Sequence, residues 1–299
     1  MTPQVSVVLP THDRAHLLRA AAMSVLTQTF DDLELVIVDD GSTDRTPDVV
    51  ADLAASDPRV RPVRLPVAGG APAARNAGLA ASSAPLVAYI DDDDEWLPQK
   101  LARQVAVLDG APEVAVVGCH HVLVDGAGRA VPYRGPVDVS PPDLLWANFL
   151  GGASNVVVRR SAVEPFDPEY RTCQDWDHWV RCAARGEVRV VPEPLVRYRD
   201  AGGDRLTASR PARLAGHRRF AERHGAAMTA WCRAYHRARR RLLEASSQLE
   251  ELRTGPALLA RTPPRVALLL AGEIAAARVG AAVGDPARGL RRLHREACR

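Results

Sequence analysis

Four consecutive aspartates, Asp91 to Asp94, follow a short apolar run, Leu86 to Ile90. A run of that length bounded by polar residues reads as a buried strand. The carboxylates then stand at its C-terminal end, where open α/β sheets place their ligands. Crowded carboxylates repel and raise one another's pKa unless a cation is shared. Oxygen-only donors on a turn suit a hard divalent ion, Mn2+ or Mg2+, with positions left for substrate phosphates. A plain acidic turn, with Asp94 capping a helix entered at Trp96, explains one aspartate and leaves three unused. A second reactive cluster is Thr172-Cys-Gln-Asp-Trp-Asp-His-Trp179. If helical, it puts Asp175, His178 and Trp179 on one face and Asp177 elsewhere. It also fits a helix start, with Thr172 as N-cap and Asp175 as its capping-box partner.

The elements that must carry these groups are legible from periodicity. Val5 to Leu9 reads as a strand halted at Pro10, Leu17 to Leu26 as a helix, and Leu33 to Val38 as a second buried strand. A helix entered at Pro47, a strand from Val60 to Leu65, and a helix holding Arg75 and Asn76 lead to the Leu86 strand. Strand and helix alternate four times, which implies a parallel, doubly wound sheet. Functional types recur at three strand ends: His12 to Arg14, Asp39 to Asp44 and Asp91 to Asp94. A carboxylate on that rim can accept the imide N–H of a pyrimidine, and Arg75 can serve a phosphate as a multidentate donor. The first strand is not followed by G-x-G-x-x-G and no G-x-x-x-x-G-K-[ST] loop occurs, so dinucleotide and P-loop readings lack support.

Four segments, in order, are Val5-Ser-Val-Val-Leu-Pro-Thr-His-Asp-Arg14, Val38-Asp-Asp-Gly-Ser-Thr-Asp44, Ala74-Arg-Asn-Ala-Gly78 and Ile90-Asp-Asp-Asp-Asp-Glu-Trp96. Together they resemble the family 2 inverting glycosyltransferases with a GT-A fold. The likeness covers about the first two hundred residues. It implies an α/β, doubly wound mixed sheet with a Rossmann-like nucleotide-binding half over 1–110 and an acceptor half over 111–204. A basic helical extension over 205–299 would follow. It also implies a nucleotide-sugar donor, UDP-linked, and a glycan, lipid-linked or small-molecule acceptor. Pro10, Thr11, His12, Arg14, Asp40, Arg75, Asp91 and Asp92 would hold the donor, Asp40 at the base and Arg75 at the base or diphosphate. Asp91 with Asp93 would form the D-x-D pair, Asp93 on the metal. The Thr172 segment resembles the family's Glu-Asp element, which makes Asp175 the catalytic base, with Trp176 and Trp179 as the aromatic candidates for the acceptor. Two departures stand out. His12 and Asp13 replace an aromatic residue and Asn, and Gln174 replaces the glutamate. One fewer charge beside Asp175 should lower its pKa relative to the usual arrangement.

Alternatives are a sugar nucleotidyltransferase, which lacks its Gly-rich basic loop here, and a binding module that has lost its base. His120 and His121 are neighbours on a strand, so they point to opposite faces and cannot chelate one ion together. Gly151 to Asn155 is placed to border the acceptor site. Relatives often carry a metal-binding histidine after the Tyr-Arg pair, where this chain offers Asp200 and Asp204.

Charge is unevenly distributed. From Arg205 onward there are 20 arginines against seven acidic residues, whereas the preceding residues carry 19 basic and 29 acidic side chains. Met228, Trp231, Tyr235, Ala238, Leu242, Ala245, Leu249 and Leu252 form a heptad seam, packing in cis or in a homodimer. Arginines on the other face are a solvated surface or a draw to anionic lipid. No nucleic-acid module is recognisable. Five cysteines without C-x-x-C spacing fit a reducing compartment. The absence of a leader-like start and the interruption of Val266 to Val283 by Glu273 and Arg278 fit a cytoplasmic protein, peripheral at most to the inner membrane face.

Overall fold

The computed structural model describes residues 2–124, 128–133, 135–199 and 209–244. It divides into two compact units. The first comprises Met1–Pro141, Leu150–Glu169 and Gln174–Gly202, and the second Pro142–Phe149, Tyr170–Cys173 and Gly203–Arg299.

The first unit is built on one mixed sheet. Strands β1 (Val5–Thr11), β2 (Leu33–Asp39), β3 (Val60–Arg64) and β4 (Leu86–Tyr89) are parallel, in the order β3-β2-β1-β4. They alternate with helices α1 (Ala15–Leu26), α2 (Thr46–Ser56) and α3 (Ala71–Ala81). Side chains of alternate residues fall on opposite faces, so both faces must be covered, as the unbroken burial of β1, β2 and β4 requires. Val5, Val7 and Leu9 share one core with Leu18, Val25, Leu53 and Leu101. Val8 and Val38 face α3, where an added Cβ on Gly78 would lie 2.4 Å from Val8 Cγ1 and 3.0 Å from Val38 Cγ2. Gly78→Ala is therefore expected to cost about 1–3 kcal/mol by overpacking. Urea denaturation checks this, and an unchanged midpoint would show that α3 can lift off freely.

Pro10 does not halt β1, which runs on to Thr11. β1 stays paired with β2 opposite Val38 and Asp39, whereas on the β4 side the last bond runs from the Ile90 N–H to the Val8 carbonyl, and Pro10, with no N–H to donate, ends that ladder. The helix expected at Trp96 is instead a three-residue strand, β5 (Asp94–Trp96), and α4 (Lys100–Gly110) begins later. Beyond it the sheet becomes mixed. β6 (Val114–Val124), β7 (Ala130–Tyr133), β8 (Val157–Arg159) and β9 (Glu187–Arg199) complete the order β4-β8-β6-β9-β5, with β7 on β6. β9 runs unbroken from Glu187 to Arg199 in spite of two prolines. Pro192 and Pro194 are absorbed by register shifts opposite Cys119 to His121. Helix α5 (Gln174–Ala183) carries the second reactive cluster.

The turn Pro141–Leu145 is 3-10 and leads into the second unit. Helices α6 (Arg210–His224) and α7 (Ala230–Glu244) form its helical part, and the Ser209 side chain caps α6. Met228, Tyr235 and Ala238 of the expected seam are buried within this chain, Tyr235 against Trp146. Ala245, Leu249 and Leu252 lie outside the described residues, as do Asp200 and Asp204. Burial pushes His217 down to about 3 and His236 to about 4, so both imidazoles are neutral at physiological pH.

Candidate active site

The turn after β1 is set by Asp13. Its φ of 51° lies in the left-handed region that Asn and Asp tolerate. Its carboxylate accepts the N–H groups of Thr43 (2.7 Å) and Asp44 (3.1 Å), which clamps the β1 and β2 turns together. The His12 ring keeps 45% of its surface open, and its Nδ1 lies 2.8 Å from the Asp40 carbonyl oxygen. A carbonyl only accepts, so the neutral ring carries its proton on Nδ1. The Asp40 carboxylate is buried and accepts the N–H groups of Gly69 (2.8 Å) and Gly70 (2.7 Å). It thus fixes the loop before α3.

The four aspartates diverge sharply in role. Asp92 is buried with both oxygens engaged, by the Thr11 hydroxyl at 2.8 Å and by Arg14 Nη1 at 3.0 Å. Burial pushes it up to about 6 against those two partners. Asp94 accepts a hydrogen bond from the buried Ser154 hydroxyl, which in turn accepts the Asp91 N–H. Asp91 and Asp93 remain open, at 33% and 25% of side-chain surface. One oxygen of each meets an arginine: Arg75 Nη2 donates to Asp91 at 2.6 Å and Arg14 Nη1 to Asp93 at 3.0 Å. The other oxygen of each has no partner among the described residues. Those two free oxygens are hard donors on an accessible turn. A cation taking one or two carboxylates and completing its shell with substrate phosphate fits them. Among the described residues no cluster of three His, Cys, Asp or Glu side chains forms a full protein cage.

Helix α5 brings Asp175 to the same place. Arg75 is 3% exposed and spans the gap, with Nη1 3.6 Å from Asp175 Oδ1 and 3.1 Å from Gln174 Oε1. One Asp175 oxygen is fully covered and accepts no hydrogen bond, while the side chain as a whole keeps 22% of its surface open. Burial drives its pKa up to about 6; Arg75 opposes that rise and Asp91 adds to it. The charge withheld by Gln174 is therefore outweighed by desolvation. Helix α5 begins at Gln174, so Cys173 rather than Thr172 stands at its cap position, and the Thr172 hydroxyl donates to the Ala212 carbonyl.

Trp176 and Trp179, expected to face an acceptor, are 4% and 0% exposed and offer no open ring face. The Trp179 indole packs against Tyr89 and His178 and donates to the Gly151 carbonyl at 3.2 Å. The large apolar residues of this amphipathic helix belong to the core. Asp177 is also fully buried, paired with Arg181 at 2.9 Å. His121 stacks between Tyr133 and Tyr198, and burial lowers it to about 4.

Sequence reasoning had Ser154 only within the Gly151–Asn155 stretch at the acceptor site, not bracing Asp91 and Asp94, and it missed Lys100. Lys100 is fully buried, its Nζ 3.8 Å over the Trp96 ring, and burial brings it down to about 8. Its place at the start of α4 carries no sequence signal for such burial.

The mixed sheet of this order, with Asp91 joined to Asp175 through Arg75 on its rim, belongs to the glycosyltransferase class by its family match. The glycosyl transferase family 2 profile matches residues 6–163, and the chain belongs to that family. An uncharacterised glycosyltransferase of Nostoc sp. is 33% identical over 220 residues, covering 67% of this chain; the chain spans 66% of that relative's length. The Escherichia coli UDP-Glc:alpha-D-GlcNAc-diphosphoundecaprenol beta-1,3-glucosyltransferase WfgD is 28% identical over 187 residues, 62% of this chain and 72% of its own. The fold is shared with S. aureus TarS 1-349 in complex with UDP-GlcNAc, at 18% identity and a TM-score of 0.65 over 92% of this chain and 88% of that one. It is also shared with mannosyltransferase PcManGT from Pyrobaculum calidifontis in complex with GDP-Man and Mn2+, at 22% identity and a TM-score of 0.55 over 99% and 81%.

Proposed function

We propose that this protein is an inverting, divalent-cation-dependent glycosyltransferase that moves one sugar from a UDP-sugar to an acceptor hydroxyl. The observation that carries the reading is the facing of Asp91 and Asp175 across Arg75, with Asp93, two residues on, held by Arg14 and all three carboxylates partly open. Asp175 removes the proton of the acceptor hydroxyl as its oxygen attacks the anomeric carbon from the side opposite the leaving diphosphate. A lone base suffices for a single displacement, which inverts the anomeric centre. Asp91 and Asp93 would hold the cation, each through the oxygen its arginine leaves free, and the cation would supply positive charge against that growing on the diphosphate. Arg14, shared between Asp92 and Asp93, stands within reach of the same diphosphate. His12 presents an open ring for a base to stack on, and the Asp40 loop borders it. WfgD, by its name, uses UDP-Glc and a diphosphoundecaprenol acceptor, which favours UDP and a lipid-linked acceptor here.

A thermal-shift screen of UDP, dTDP and GDP, each with and without Mn2+ or Mg2+, tests the reading. UDP with cation should stabilise most, by about 2.7 kcal/mol at a hundredfold excess over Kd. No shift with any nucleotide would remove the proposal. UDP binding without UDP release from any UDP-sugar would turn it toward a binding module.

A lipid-linked acceptor calls for contact with a membrane surface, although no described helix is long and apolar enough to cross one. Exposed Arg233, Arg237 and Arg241 recur every four residues along α7, and each adds about 1 kcal/mol near an anionic surface. Co-sedimentation with phosphatidylglycerol vesicles at low salt, lost when the three are changed to Glu, is the expected result. Equal binding of the triple variant would assign the arginines to solvent.

A further inference from the structure

We propose that Arg75 is a positioning residue whose single guanidinium ties the donor-side Asp91 to the base Asp175 and sets how firmly that base is held. The proposal rests on the assignment of Asp175 as base. Three acceptors compete for this buried side chain. Asp91 Oδ1 takes Nη2 at 2.6 Å, Gln174 Oε1 takes Nη1 at 3.1 Å, and Asp175 Oδ1 is left at 3.6 Å. Nε has no partner, and the Phe166 ring lies 5.2 Å from the guanidinium carbon. An arginine cannot shed its charge, so the guanidinium can only be redistributed among these acceptors. The covered oxygen of Asp175 has no hydrogen bond of its own, so it is the acceptor with most to gain.

Two consequences follow from this competition. Any ligand that takes charge from Asp91 frees the guanidinium to close on Asp175, so donor occupancy and readiness of the base run through one side chain. Gln174 holds Nη1 with an uncharged oxygen, which keeps Arg75 between the two carboxylates without adding a third. The groups facing Asp175 are Arg75 from α3, Asp91 beyond β4, the Ala153 backbone N–H and Tyr198 of β9, with Gln174 beside it on the same arginine.

The test needs neither substrate nor metal. Carboxyl-carbon NMR of 13C-aspartate-labelled protein follows each titration, with Asp175 assigned by its disappearance in Asp175→Asn. Arg75→Met should move the Asp175 midpoint up by about one pH unit or more. Gln174→Leu should move it down, because Nη1 without its amide partner closes on Oδ1. A residue with a merely structural role would lower the melting temperature and leave both midpoints in place. Should Gln174→Leu leave Asp175 unmoved, the proposal is overturned even where Arg75→Met fails to fold. If the midpoints move as expected while Asp175→Asn still transfers sugar, the base assignment fails and the bridge itself stands.

Discussion

Asp175→Asn is expected to lower sugar transfer about a thousandfold, within the range that a positioned general base contributes, while UDP affinity stays within a few-fold. Asparagine keeps the shape and cannot take a proton. Its neighbours Arg75 and Asp91 remain, so the donor side is left standing. The ordinary aspartate value of 3.8 becomes about 6 here, chiefly through burial. The base works ionised, so kcat/KM should rise with pH through about 6 and level off above it; that profile reports the free enzyme. An acid limb near 4 would mean that Asp175 does not govern turnover. Stability has the opposite sign. A carboxyl whose folded pKa is raised favours the native state below 3.8 and loses that contribution as pH rises to about 6. At pH 7 the ionised side chain is therefore held against its environment, and Asp175→Asn should melt no earlier than the unchanged protein. Lost turnover together with an undiminished melting temperature separates chemistry from folding. Retained turnover would move the base elsewhere.

The first hundred residues were legible because their signals are local. Continuous β-branched runs on strands buried on both faces, and apolar spacing on the helices between them, follow directly from burial. The turn residues were legible too, since the φ of 51° at Asp13 makes its exchange with Asn physically conservative. What failed involved tertiary context. Asp94 to Trp96 form a strand only because β9, a hundred residues later, pairs with it, as Asp94 does with Tyr198. Pro192 and Pro194 sit within one strand, at register shifts that only its pairing with β6 accommodates. Trp176 and Trp179 looked like sugar platforms, yet large rings at helical spacing are the usual content of a core, and both are buried. The bridge from Asp91 through Arg75 to Asp175 crosses about a hundred positions between α3 and α5. No periodicity announces it. Ser154 lay in a stretch the sequence placed at the acceptor site, but its bracing of Asp91 and Asp94 was equally silent.

Asp93→Ala should separate the donor side from the base in the complementary direction. Among the described residues the Asp93 side chain takes a single hydrogen bond, from Arg14 Nη1, and that arginine keeps Asp92 when Asp93 is gone. Asp93 is also partly open, so its loss leaves no buried cavity, and the fold should be little affected. What disappears is one of the two free carboxylate oxygens. The partners behind a metal ligand typically matter 10–100-fold to metal affinity, so removing a ligand should cost about tenfold or more. The expected result, by calorimetric titration, is that UDP affinity without cation changes little, while the gain from Mn2+ largely vanishes. Asp92→Asn should behave differently, because Asp92 has both oxygens engaged within the protein. It should lower the melting temperature through the Thr11 and Arg14 bonds and affect cation-dependent UDP affinity only secondarily. Equal loss of UDP affinity in Asp93→Ala and Asp175→Asn would contradict the division of this rim into a donor side and a proton-accepting side. Unchanged Mn2+ dependence in Asp93→Ala would leave the cation to Asp91 alone.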